Sequence, residues 1–192
     1  RVKAADGHVA EIEAIVARPP LFGGANAFGE GPAALDASGG PDPAWFKEIH
    51  PSERMSRDDL QRIANMYFAG LEQNNGKGDY PFADDCVRIE NGFRTTGVPP
   101  SPGAGKTPYL DAFRALSAKA QFETGYFAFV DRIRERRFPV IDAKRGLVFA
   151  FAFFDHSGTV RDYRLADGTP ITSNVERPFS WMIAEAFRIE RG

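Results

Sequence analysis

Two glutamates and a tyrosine in this sequence suit acid–base chemistry. Tyr67 lies in a segment of helical periodicity, so its ring is expected on the buried face and its hydroxyl needs a partner. Glu90 ends a short alternating segment, and Glu185 lies in a late apolar one. Burial among phenylalanines raises the pKa of a carboxyl toward that of a useful base. Two carboxyls in one apolar pocket tend to separate into an ionised base and a neutral donor, which suits proton abstraction, isomerisation or elimination.

Each of these residues also has an ordinary structural interpretation. Arg88 lies two residues before Glu90, and therefore on the same face of a strand. A salt bridge between them would keep Glu90 ionised, lower its pKa and make it a poor base at neutral pH. A cap on the Asn91–Gly92 turn is a further alternative for Glu90. Tyr67 suits an ordinary core position, and a strand residue such as Glu185 often faces solvent.

Further residues are candidates for contact with a bound small molecule. An arginine at the start of the late hairpin can bind a carboxylate or phenolate. A histidine beside an aspartate near a cavity mouth can act as an acid or base, although a histidine in a turn is the more common case. Phenylalanines with a period of two are at least core residues. The candidates are Arg88, Asn91, His156, Arg136, Phe149, Phe151 and Trp181.

Local patterns predict the elements that must position these side chains. A helix is predicted to begin after Ser56, a suitable N-cap, with Asp59 at its third position. Its apolar residues recur at spacings of three and four, which gives one apolar face: Leu60, Ile63, Ala64, Tyr67, Phe68 and Leu71. The later patterns predict strands at 87–90 and 93–96, a long helix over 110–122, a hairpin over 137–154, a polar loop at 157–177 and a strand at 179–189. Helices followed by a meander predict an α+β fold with helices packed over a curved, mostly antiparallel sheet.

Composition divides the chain into three zones. Residues 1–18 have the pattern of a β-hairpin with an Asp6–Gly7 turn. Residues 19–54 are rich in glycine and proline and are predicted to be a linker without regular period. Residues 55–192 form the main domain. Residues 188–192 repeat the pattern of the first residues, so we expect that 1–18 is the tail of a preceding similar domain and that the last strand of 55–192 is missing.

Charge and composition exclude several classes of function. The chain has 192 residues, 24 basic and 26 acidic, and a net charge of −2, which gives no overall attraction to nucleic acid or an acidic membrane. One cysteine and three scattered histidines argue against a disulfide framework or a metal site. No apolar run has the length of a membrane span. We therefore expect a soluble protein, with a cytoplasmic location favoured and a native N-terminus that lies upstream.

Four segments carry a resemblance to a known family. Residues 63–71 followed by 82–90, and then 149–153 and 183–189, resemble the NTF2-like superfamily, in particular its SnoaL-like and ketosteroid-isomerase-like branch. The resemblance covers about residues 55–192 and implies a cone-shaped α+β fold with a hydrophobic pocket. Residues 88–92 with Thr95 and Thr96 also resemble a poorly characterised branch that occurs in tandem copies.

The resemblance implies a role for each acid–base residue. Tyr67 matches the tyrosine that donates a hydrogen bond to the substrate oxygen, and Glu90 matches the carboxylate general base. Glu185 matches a second carboxylic acid that an apolar site keeps protonated. Both positions carry glutamate where the compact isomerases carry aspartate, so each carboxyl reaches about one methylene further.

Three functions remain open at this stage. The favoured one is a cofactor-independent isomerase or lyase that acts, as a dehydratase for example, on a hydrophobic, aromatic or polyketide-like molecule. The second is a non-catalytic module that binds a small molecule or has a structural role. The third is an interaction domain that pairs through its sheet. We expect a homo-oligomer, a dimer or trimer, and no metal or cofactor.

Overall fold

The computed structural model describes residues 1–15, 27–99, 108–173 and 175–190. Its helices are α1 (Ala27–Ala37), α2 (Arg57–Leu71), α3 (Pro108–Ala115) and α4 (Ala118–Glu123). Its strands are β1 (Val2–Ala5), β2 (His8–Ile12), β3 (Ile89–Glu90), β4 (Phe93–Arg94), β5 (Arg132–Asp142), β6 (Leu147–His156), β7 (Asp162–Arg164), β8 (Pro170–Thr172) and β9 (Phe179–Arg188). The strand pairs are antiparallel, so the predicted α+β class is confirmed. Among the described residues, no helix combines the length and apolar character that crossing a membrane requires.

Helix α2 begins where the sequence predicts. The Ser56 hydroxyl oxygen accepts a hydrogen bond from the Asp59 backbone N–H at 3.1 Å and donates one to the Asp59 carboxylate at 2.7 Å. This reciprocal cap satisfies an amide that the helix itself leaves without a partner. Leu60, Ala64, Phe68 and Leu71 form the buried face.

The largest sheet places its middle strand β6 between β5 and β9. Ala150 and Ala152 of β6 belong to the same buried cluster as Phe68 of α2, so this face of the sheet packs on the helix. Glu185 is the β9 partner of Ala150. Paired residues of neighbouring antiparallel strands lie on the same face, so Glu185 lies on the face that carries α2.

Several elements differ in length or continuity from those that the sequence predicts. The helix predicted over 110–122 is wrong as a single element, because Ser117 caps a new helix by accepting the Ala120 N–H at 3.2 Å. The strands predicted at 87–90 and 93–96 reduce to β3 and β4. The region predicted as a polar loop at 157–177 contains the small hairpin β7–β8.

The N-terminal third has more regular structure than its composition indicates. β1 pairs with β2 around the Asp6–Gly7 turn. Helix α1 lies within the segment 19–54, for which the sequence predicts no helical period. The end of the N-terminal zone (16–18) and the first part of this segment (19–26) lie outside the described residues. The repeat at 188–192 also extends beyond them.

Helix α1 touches the β3–β4 turn through two glycines. A Cβ added to Gly31 would lie 1.3 Å from the Asn91 carbonyl oxygen, and one added to Gly92 would lie 2.1 Å from the Gly31 carbonyl oxygen. Both distances are far below van der Waals contact. Two backbones therefore approach as closely as only glycine permits.

We predict that Gly92→Ala detaches α1 from this turn, because the added methyl collides with the Gly31 backbone. The expected result is faster limited proteolysis within residues 27–40. Gly168→Ala is the matched control, since Gly168 has the same φ of +88° as Gly92 but no atom within 4 Å of an added Cβ. Equal cleavage rates in the two variants would contradict the prediction.

Candidate active site

Three separate parts of the fold bring acid–base side chains together. Tyr67 belongs to helix α2, Arg88 directly precedes strand β3, and Glu185 belongs to strand β9. The Arg88 guanidinium carbon lies 6.0 Å from the centroid of the Tyr67 ring, and its charge acts on both the Tyr67 hydroxyl and the Glu185 carboxyl. With Glu90, which binds Arg88, these residues form what we call the acid–base cluster.

Tyr67 is enclosed by aromatic rings. Its ring centroid lies 5.3 Å from that of Phe187 and 5.5 Å from that of Phe122, with Phe68 and Phe82 at 5.6 and 6.3 Å. Burial, reinforced by the nearby Glu185 carboxyl, raises the pKa of the Tyr67 hydroxyl well above its usual range. The hydroxyl is therefore a neutral hydrogen-bond donor at physiological pH.

Arg88 lies at the centre of the cluster. It donates to the Gln121 amide oxygen and to the Glu90 carboxylate, both at 2.7 Å. Its guanidinium carbon lies 5.3 to 6.0 Å from the centroids of the Phe127, Phe122 and Tyr67 rings. Only 11% of its side chain is exposed, so a positive charge is held among aromatic rings, where cation–π attraction favours it.

Glu185 is the carboxyl of the cluster whose pKa is raised by burial. Burial, with a contribution from the Glu90 carboxylate, raises the pKa of Glu185 to about 7, although the Arg88 guanidinium opposes the rise. Its carboxyl makes no hydrogen bond or ion pair with any described residue. Close to neutral pH it is therefore divided between its protonated and ionised forms.

Glu90 is exposed and ion-paired, whereas a general base is expected to be desolvated in an apolar pocket. Its side chain is 53% exposed and accepts the Arg88 hydrogen bond at 2.7 Å. The Thr95 hydroxyl donates to the same oxygen at 3.3 Å. The ion pair with Arg88, the alternative that the strand pattern left open, is present, so the more desolvated carboxyl of the cluster is Glu185.

Asn91 and Arg136 are engaged in structural contacts. Asn91 has a φ of +50° in the turn between β3 and β4 and is exposed. Arg136 donates to the Glu72 carboxylate at 2.7 Å, to the Asn65 amide oxygen at 3.2 Å and to the Ile133 carbonyl at 2.8 Å. These bonds tie β5 to the end of α2 and use three of the five N–H donors of Arg136.

Phe149 and Phe151 lie on the opposite face of the sheet from Glu185. They alternate along β6 with Ala150, the partner of Glu185, so their side chains point away from α2. Their rings contact each other at 5.1 Å, and the Arg137 guanidinium covers Phe151 at 5.2 Å. Phe149 and Phe151, two of the candidates for contact with a bound molecule, are therefore on the other face of the sheet from the acid–base cluster.

His156 and Trp181 lie on the Glu185 face but at the other end of the sheet. The His156 ring stacks on Phe179 at 4.3 Å and on Phe129 at 6.0 Å, with Trp181 at 5.3 Å. Burial lowers the pKa of His156, which favours the neutral ring. An open groove of about 430 Å³, lined by residues that include His156 and Phe179, lies beside this stack. The acid–base cluster does not include either residue.

Gln121 belongs to this site although no sequence motif marks it. It is fully buried, and its amide oxygen accepts from Arg88. A signal was present, since Gln121 lies between Ala118 and Phe122 on the side that packs into the core. A polar residue at such a position must have hydrogen-bond partners.

Among the residues that the structure describes, no group of three or more histidine, cysteine, aspartate or glutamate side chains has the geometry to hold a metal ion. The cluster instead offers a hydroxyl, a guanidinium and a titratable carboxyl. These groups can move a proton and stabilise a developing negative charge.

Residues 53–192 match a family model described as a domain of unknown function (DUF8021). This match covers more than half of the chain and includes the whole acid–base cluster. Neither a curated protein nor a solved structure matches the sequence.

Proposed function

The chain belongs to the DUF8021 family, and we propose that it is a cofactor-independent isomerase or lyase with an NTF2-like cone. Its substrate is a hydrophobic small molecule with a carbonyl group, bound beside Tyr67 and Glu185. The packing of α2 on the antiparallel sheet of β5, β6 and β9 supports the fold. The aromatic rings around Tyr67 support a hydrophobic, aromatic or polyketide-like substrate.

One observation carries the proposed function. A tyrosine hydroxyl, a guanidinium and a half-buried carboxyl with a raised pKa converge from three different parts of the fold. A purely structural cluster gains nothing from a desolvated carboxyl with a raised pKa, because desolvation of its charged form costs free energy. Strained or costly polar groups of this kind concentrate at functional sites.

The mechanism assigns proton transfer to Glu185. Its ionised carboxylate removes a proton from the carbon next to the substrate carbonyl, and the released electron pair moves onto the carbonyl oxygen. The Tyr67 hydroxyl donates a hydrogen bond to that oxygen, and the Arg88 charge stabilises the negative charge that develops. Return of the proton at another carbon completes an isomerisation, whereas loss of a leaving group completes an elimination. Glu90 pairs with the Arg88 guanidinium from the solvent side, at 2.7 Å.

The first test is the titration of Glu185 in the ligand-free protein, followed by carboxyl-carbon NMR and assigned with Glu185→Gln. We expect a midpoint of about 7 in place of the ordinary 4.5. A midpoint close to 4.5 would show that the carboxyl is solvated and would overturn the proton-transfer mechanism.

We predict that Tyr67→Phe weakens the binding of phenolates, which imitate the enolate intermediate, by about tenfold to a hundredfold, because a charge-assisted hydrogen bond is lost. Isothermal titration with 4-nitrophenolate measures the change. Tyr163→Phe is the control, since it removes a hydroxyl bonded at 2.6 Å to the Tyr126 carbonyl, outside the cluster. Equal affinities of the two variants would exclude Tyr67 as the donor.

A further inference from the structure

The side chain of Gln121 uses all of its strong hydrogen-bonding groups. Its amide nitrogen donates to the Thr95 carbonyl at 2.7 Å and to the Phe113 carbonyl at 3.0 Å. Its amide oxygen accepts from Arg88 at 2.7 Å. The reversed amide would place its oxygen against two carbonyl oxygens and its NH₂ group against a guanidinium. The orientation is therefore fixed by its partners.

Gln121 links four parts of the chain. It belongs to α4, and its partners lie in α3, in the residues after β4 and in the residue before β3. The backbone of Arg88 is held at the same place, since its N–H donates to the buried Thr96 hydroxyl at 2.9 Å. The head and the backbone of Arg88 are thus both fixed from the interior.

We propose that Gln121 is a positioning residue that holds the Arg88 guanidinium beside Tyr67 and Glu185. This inference rests on the proposed function, because the proposed mechanism requires the Arg88 guanidinium beside Tyr67 and Glu185. Glu90 alone cannot hold the guanidinium in this position, because its side chain is 53% exposed and can draw the arginine toward solvent. Gln121 is the interior partner that opposes such a movement.

Loss of Gln121 therefore changes the charges that Glu185 experiences. The ionisable groups that act on Glu185 are Arg88, which favours its ionised form, and Glu90, which disfavours it; Tyr67 faces it from α2. If Arg88 follows Glu90 outward, the favourable charge recedes and the ionised form of Glu185 is less stable.

The test compares two buried amides that have the same kind of structural bonds. Gln121→Met removes the amide that contacts Arg88. Asn74→Leu removes a buried amide that donates to the Gly70 and Phe122 carbonyls and to the Tyr80 hydroxyl at 2.9 to 3.1 Å. We expect Gln121→Met alone to shift the NMR titration midpoint of Glu185 upward, by about one pH unit. No shift, or the same shift in Asn74→Leu, would overturn the proposal.

Two further measurements separate the possible failures. In an Arg88→Met background, Gln121→Met should leave the Glu185 midpoint unchanged, since a positioning residue acts through Arg88; a persistent shift would overturn the proposal. The second measurement needs only the wild-type protein. The two terminal nitrogens of the Arg88 guanidinium should give separate NMR signals, and a single averaged signal would show that the guanidinium is not held in place. A wild-type Glu185 midpoint near 4.5 would instead overturn the proposed function.

Discussion

Glu185→Gln is expected to reduce the rate of proton transfer by about 10²- to 10⁴-fold, the usual contribution of a general base. Glutamine preserves the size of the side chain but cannot accept the proton, so substrate binding should change far less than the rate. A substrate is first identified by its competition with the bound phenolate. The measurement is then the rate at which a carbon-bound hydrogen of that substrate exchanges with deuterium in D₂O. A variant that keeps its rate would exclude Glu185 from the chemistry.

The same substitution should stabilise the protein above neutral pH. The pKa of Glu185 is about 7 in the folded protein against an ordinary value of 4.5, so between these values the folded state binds more protons than the unfolded state. The free energy of unfolding of the wild type therefore falls as the pH rises through this window, by about 2–3 kcal/mol, and stays at the lower level above it. Glutamine has no such charge to bury.

Urea denaturation at pH 5 and pH 8 measures this difference. The wild type should lose stability between the two pH values, and Glu185→Gln should lose about 2–3 kcal/mol less. Glu176→Gln serves as the control, because the Glu176 side chain is 66% exposed and its neutralisation removes no buried charge. Parallel pH profiles of the wild type and Glu185→Gln would contradict a buried carboxyl.

The position of Tyr67 was predictable because the information is local. The Ser56–Asp59 cap and the apolar spacing along α2 involve residues three or four apart. These features place Tyr67 next to the buried face whatever the rest of the chain does. Which rings surround its hydroxyl depends on β9 and α4, and the spacing within α2 contains no such information.

The relative burial of the two carboxyls depends on tertiary contacts. Glu90 and Glu185 have similar local patterns, and either suits a pocket. The difference comes from Arg88, which binds Glu90 at 2.7 Å, and from the packing of β9 against α2, which desolvates Glu185. The sequence indicated the Arg88 ion pair as an alternative but could not decide between the two carboxyls.

The orientation of β6 shows a different limit. Phenylalanine and alanine alternate along this strand, so both faces are apolar and periodicity does not identify the inner one. The structure turns Ala150 and Ala152 toward α2, where the Phe68 ring fills the space above them. Small residues therefore face the helix, and Phe149 and Phe151 cover the opposite face.

Arg88→Met is expected to destabilise the protein by about 2–3 kcal/mol, below the range for a fully buried ion pair because Glu90 remains partly solvated. Methionine fills much of the space between the rings but donates no hydrogen bond, so the Gln121 oxygen loses its partner in the interior. Buried acceptors without partners are costly. Urea denaturation at pH 5, where Glu185 is mostly protonated, isolates this structural effect.

A second consequence distinguishes Arg88 from an ordinary surface arginine. Arg88 favours the ionised form of Glu185, so its removal should raise the Glu185 titration midpoint further. Between pH 5 and pH 8, Arg88→Met should therefore lose more stability than the wild type. Arg62→Met is the matched control, because Arg62 is 63% exposed and pairs with Asp59 at 3.3 Å; we expect it to cost less than about 0.5 kcal/mol. A Glu185 midpoint that falls in Arg88→Met would show that the guanidinium does not act on this carboxyl, and the cluster would then lack the charge that its chemistry requires.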